Sequence, residues 1–127
     1  MHKKFSPAAL ARPGSGNHHG IDGEPGARWL HMSGQVARRL DGTLAEGIEA
    51  QLEQCWQNVF EILGEAGMGA ENVVKIITYL TRREDTAAYR AALKKHMGNL
   101  RAPSTLVIAG LATLEMLVEV DVIAAKA

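Results

Sequence analysis

Residues 116–124 read Met-Leu-Val-Glu-Val-Asp-Val-Ile-Ala, and this alternation is the strongest constraint in the chain. A period of two belongs to a β-strand, whose successive side chains point to opposite faces. Met116, Val118, Val120, Val122 and Ala124 form one apolar face, while Leu117, Glu119, Asp121 and Ile123 share the other. The apolar face needs a covering layer, and the sequence supplies one. After the Asp41-Gly42 turn, Thr43-Leu44-Ala45-Glu46 matches a capping box. It predicts a helix with Leu44, Ile48, Leu52, Cys55, Val59 and Leu63 on one face, ended by Gly64 and Gly67. Asp85 is placed to cap a second helix carrying Tyr89, Leu93 and Met97, which Gly98 and Asn99 stop.

The remaining strands are read the same way. Val73 to Leu80 is β-branched and almost wholly apolar, as a buried central strand is. Trp29 to Ser33 and Thr105 to Ile108 are further strands, and Gln35-Val36-Ala37 continues the first or begins another. Gly34 in that stretch marks a bulge or a close approach. Residues 1–27, with Pro7, Pro13, Pro25 and five glycines, are read as irregular, with at most a short edge strand near Gly20-Ile21-Asp22. The order β, β, α, β, α, β, β in one domain of 127 residues predicts an α+β layer architecture, with an antiparallel or mixed sheet and both helices on one face.

Fourteen basic residues balance fourteen acidic ones, which argues against a nucleic-acid or anionic-membrane binder. No apolar run approaches the roughly 20 residues that span a bilayer. Met1-His2-Lys3-Lys4 is followed by no apolar signal core, so the expectation is a cytoplasmic protein. One cysteine, Cys55, excludes an internal disulfide and a multi-Cys zinc site. It falls on the apolar helix face and reads as a small core residue. His18-His19 is a poor chelating pair without further ligands at metal-like spacing, so no metal is expected. Gly14-Ser15-Gly16 lacks the strand and helix context of a nucleotide fingerprint.

The candidate chemistry lies on the polar face of the last strand. Glu119 and Asp121 stand about 7 Å apart there. An unpaired carboxylate is costly to bury. Either this face is solvated or ion-paired between subunits, or Glu119 positions and activates a water in a cleft.

Several segments together resemble the RidA/YjgF family of reactive-intermediate deaminases. They are Ser33-Gly34-Gln35, the helix through Gln51 and Asn58-Val59 to Ala66-Gly67-Met68, Val73-Val74-Lys75-Ile76, Pro103-Ser104-Thr105-Leu106-Val107 and Glu119-Val120-Asp121-Val122-Ile123-Ala124. The resemblance implies a chorismate-mutase-like fold and a homotrimer, with a central barrel, outer helices and clefts between subunits. It implies hydrolysis of small enamines or imines without metal or cofactor. Glu119 matches the acidic residue near the attacking water, and Ser33 and Gly34 match residues that line the same cleft, with Ser104 and Thr105 as further candidate substrate-binding residues.

The chain also departs from that pattern. The arginine that clamps a substrate carboxylate is replaced by Pro103, and a cysteine two positions on by Thr105. A tyrosine of the N-terminal loop has no counterpart around Asn17-His18, and an asparagine of the second helix aligns with Arg90. The chain thus reads as an arginine-lacking branch, in which Arg90 or Arg101 is the candidate replacement cation. The alternative is a non-catalytic trimer binding a small metabolite or a protein partner. A ribonuclease fits worst, for want of basic grooves and stacking platforms.

Overall fold

The computed structural model describes residues 2–11 and 18–127. Gly14-Ser15-Gly16 and Asn17 lie outside the described residues. The architecture is α+β, as the patterning predicts. Strands β1 (Lys3–Phe5) and β2 (Gly20–Asp22) pair antiparallel as a small ribbon. The edge strand foreseen near Gly20 therefore has a partner in a stretch read as irregular. Three residues carry too little periodicity to be seen, and the pairing spans a long loop.

Four strands make the main sheet: β3 (Arg28–His31), β4 (Val73–Leu80), β5 (Ser104–Ile108) and β6 (Val118–Lys126), in the order β3-β6-β4-β5. β6 runs antiparallel to both its neighbours, while β4 and β5 are parallel. A parallel pair needs a long crossover, which α2 (Thr86–Met97) provides. α1 (Ile48–Glu65) lies on β6, with α2 beside it. Val118, Val120, Val122 and Ala124 are fully buried beneath α1 with Leu52, Cys55, Trp56, Val59 and Leu63. Burying each Val or Leu stabilises the fold by about 1.5–3 kcal/mol before entropy is charged against it.

Local signals mislead at both helix starts. Thr43 does not cap α1. Its N–H and hydroxyl both donate to Asp41 Oδ1, at 2.9 and 2.6 Å. That turn lets Arg38 bridge Leu44, so Leu44 and Ala45 are extended, and α1 begins at Ile48 after Gly47 at φ 85°. The Asp41 turn competes for the same hydroxyl and wins. Asp85 precedes α2 but gives it no side-chain hydrogen bond. Its carboxylate takes a two-point contact from Arg82 instead, Nε at 3.0 Å and Nη2 at 3.1 Å. Such a fork outcompetes a neutral backbone donor. At its far end Gly64 lies inside α1 rather than ending it, and the helix closes at Gly67, at φ 70°, with Met68 N–H bonded to the Leu63 carbonyl.

Candidate functional site

One face of the sheet is covered by the helices, and the other is open and half-buried. Strand register arranges the open face in rows. At one end Glu119 of β6 stands opposite Tyr79 of β4, followed by Val107 of β5. The middle row is Asp121, Ile77 and Thr105. At the other end His31, Ile123 and Lys75 align, next to Pro103. The face mixes Ile77, Tyr79, Val107 and Ile123 with two carboxylates and a lysine, none of them fully buried.

The chain after β3 returns to β6 through Gln35, which exchanges two backbone hydrogen bonds with Val120, at 2.7 and 2.9 Å. The Gln35 amide turns back to the Ser33 carbonyl at 2.9 Å. This sets Gly34 under Glu119. A methyl group on Gly34 would stand 2.2 Å from Glu119 Oε2 and 2.7 Å from Cδ. The glycine thus leaves room for a close approach, and the object approached is the candidate carboxylate.

Two amides, half-buried Asn58 and buried Gln51, hold the surroundings. Asn58 Nδ2 donates to the carbonyls of Val36 (3.2 Å) and Arg38 (2.9 Å), fixing the chain beyond Gly34. Gln51 Nε2 donates to Ala45 (3.0 Å) and Glu115 (2.8 Å), and its Oε1 accepts the N–H of Leu117 at 2.8 Å. Gln51 therefore anchors the loop that delivers β6 to Glu119. Cys55 is inert core, its thiol pushed up to about 12 by burial and then by the Glu119 charge. A groove of about 830 Å³ beside this site is lined by Gln35, Arg38, Gln54, Asn58, Phe60 and Ile62 among others, and excludes Glu119. Gln54 and Asn58 in it bond to each other at 2.9 Å.

Glu119, Gly34 and Ser33 are brought together, and Thr105 shares their face of the sheet. The other expected residues are not. Ser104 pairs with Ile76 on the helix side, its hydroxyl 3.1 Å from that of Tyr89. Arg101 is not on β5. It sits at φ 53° after a short 3₁₀ turn, with its carbonyl held by His18 N–H at 3.2 Å. The left-handed residue breaks the alternation that would have aligned it with Pro103. Arg90 is exposed on α2, in the covering layer. Pro103 is buried, and its carbonyl accepts Ile76 N–H at 2.9 Å. Sequence reasoning missed Lys75 and Tyr79 as neighbours of this site. Their alternation along β4 was legible, but the identity of the adjoining strands was not.

Among the described residues, no three His, Cys, Asp or Glu side chains gather as a metal centre requires. His18 Nδ1 lies 3.3 Å from the Arg101 carbonyl. No helix among the described residues is long and apolar enough to cross a membrane.

The sequence pattern of the endoribonuclease L-PSP family matches residues 22–126. The chain belongs to this family, the RidA/YjgF family of the sequence resemblance. It is 36% identical over 103 residues to a RutC family protein of Synechocystis, covering 76% of this chain and 77% of that one. It is 30% identical over 95 residues to a RutC family protein of Aquifex aeolicus, covering 74% and 76%. Among solved structures, a conserved Rid-family protein of Yersinia pestis superposes with TM-score 0.85 at 27% identity, over 98% of both chains. RidA of an Antarctic Psychrobacter shares the fold, with TM-score 0.74 at 23% identity over 95% and 94%.

Proposed function

We propose that this protein hydrolyses a small imine or enamine in clefts between the subunits of a homotrimer. The carrying observation is the Glu119 carboxylate seated over Gly34 on the open face of the sheet. In the proposed reaction Glu119 accepts a proton as water adds to the C=N carbon. Glu119 returns that proton to the nitrogen to give a carbinolamine. It then takes the carbinolamine O–H proton and passes it to the nitrogen as the C–N bond breaks, so that ammonia and a carbonyl compound leave. An enamine enters this sequence after tautomerising to the imine. A carboxylate that orients and deprotonates water needs neither metal nor cofactor.

Register supports a shared site. Position 103 and Glu119 lie four residues apart along the strands and two strands apart across the sheet. At about 3.3 Å per residue and 4.8 Å per strand they are about 16 Å apart, too far for one small substrate. A cleft that uses both must take them from neighbouring copies. The half-buried residues Ile77, Tyr79, Val107 and Ile123 give the open face the apolar character that packing against another copy needs.

The buried Pro103 favours a second reading, a trimer that binds a metabolite or a partner without turning it over. Ammonia release from freshly generated 2-aminoacrylate separates the two. Wild type should accelerate release and Glu119→Gln should lose most of the acceleration, with light scattering reporting a trimer in both. A correctly assembled wild type that releases no ammonia above background removes the hydrolytic reading and leaves the binding one. The balanced charge continues to argue against a nuclease.

A further inference from the structure

We infer that Lys75, held by Thr105, is the anion-recognition point of the intersubunit cleft, so that the cleft takes small substrates carrying one negative charge. The inference rests on the proposed reading of that cleft. Its first support is placement. Of the described strand residues on the open face, Lys75 is the one permanent cation. Arg101 has left the strand and Arg90 rides on the covering helix. Lys75 stands beside Pro103 at the end of the face opposite Glu119. In a shared cleft this is the corner that one copy would present to the carboxylate of the next.

The second support is the hydrogen bond. Lys75 Nζ donates to Thr105 Oγ1 at 2.8 Å, from β4 to the exposed side of β5. Asp121 is diagonal to Lys75 on the same face, yet no ion pair joins them among the described residues. The tether thus turns the ammonium toward β5, on the side of β4 away from the strand that carries Asp121. Thr105 uses a lone pair to receive the lysine, so its own O–H is free to donate. The ammonium then keeps two N–H groups, and the neighbouring hydroxyl its O–H, for a further acceptor. This is a compact donor set, well suited to a carboxylate or another small oxyanion.

An ammonium recognises an anion as a point charge, whereas a guanidinium fork matches a planar carboxylate at two points. Selectivity for anion shape should therefore be loose, and binding should weaken with salt. The loose shape selectivity distinguishes an ammonium from a guanidinium, and the salt dependence marks recognition by charge.

The test reads anion binding, not turnover. Pyruvate and uncharged methyl pyruvate are titrated into isotope-labelled trimer by NMR. Lys75→Met should weaken pyruvate binding at least about tenfold and leave methyl pyruvate unchanged, and Lys75→Arg should stay within about threefold of wild type. Raising KCl from about 50 to about 500 mM should weaken pyruvate binding to wild type but not to Lys75→Met. Equal pyruvate affinity in wild type and Lys75→Met trimers overturns the inference, as does absence of pyruvate binding by wild type. Should Lys75→Met fail to assemble, Thr105→Val, which keeps the charge and removes the tether and the hydroxyl, decides instead. Unchanged pyruvate affinity in it is equally refuting. Failure here with Glu119-dependent ammonia release intact removes only the anion site. Lysine-dependent pyruvate binding without ammonia release removes only the hydrolytic reading.

Discussion

Gly34→Ala tests whether the Glu119 position matters to chemistry or only to packing. The added methyl would lie 2.2 Å from Oε2, and ordinary contact begins near 3.4 Å. The carboxylate must therefore retreat by about 1.2 Å, the difference between those two distances. The retreat is cheap, because the atoms met are the end of a flexible side chain and Gly34 does not hold a left-handed φ. Stability should fall by no more than about 1 kcal/mol, a few degrees in Tm for a domain of this size. Catalysis is less forgiving, since a displacement of about 1 Å at a reacting group costs on the order of 100-fold. The paired assay is ammonia release from 2-aminoacrylate and thermal unfolding of the same sample. The expected result is a rate lowered about 100-fold with Tm nearly unchanged. A rate within about twofold of wild type would refute the claim that Glu119 works from its seat over Gly34. A collapse of Tm would show instead that the contact is structural.

Three further outcomes follow from the same geometry. Gln51→Leu strands two carbonyls and one N–H, and should cost about 2–4 kcal/mol in urea unfolding, with slower ammonia release as the loop before Glu119 loosens. Cys55 has its thiol raised from 9.0 to about 12, so the neutral form is the folded one. Its stabilisation is full below pH 9.0 and is lost as pH rises toward 12, and iodoacetamide at pH 8 should label it only at the rate of unfolding. Glu53 is held below its ordinary 4.5 by the hydrogen bond from Lys95 (3.1 Å) and, after a desolvation effect of opposite sign, by His96 (2.7 Å). Its stabilisation is present above pH 4.5 and is lost as pH falls through the lower folded value, so the Tm difference between wild type and Glu53→Gln should close in acid.

Much of this protein was determined by sequence alone, because its decisive patterns are local. The period-two run through Glu119 fixes a strand with one apolar and one polar face, wherever its neighbours lie. The apolar spacing of Leu52, Cys55, Val59 and Leu63 likewise fixes which side of α1 is buried. Gly34 and Glu119 could each be singled out as anomalies of their own strands, one lacking a side chain and one carrying a charge. Their contact could not be read, because it depends on Gln35 pairing with Val120 across 85 residues of chain. Tertiary structure also decided between competing local bonds. Thr43 had a capping box and an Asp41 turn within reach, and only the hairpin from Arg38 to Leu44 selects the turn. Arg101 lies two residues before Pro103 in sequence, yet its left-handed backbone at the end of the 3₁₀ turn takes it off the strand. Lys75 was an ordinary strand lysine until the parallel pairing of β4 with β5, made possible by α2, set Thr105 beside it. Periodicity says which face a side chain takes, and only the strand order says what it meets there.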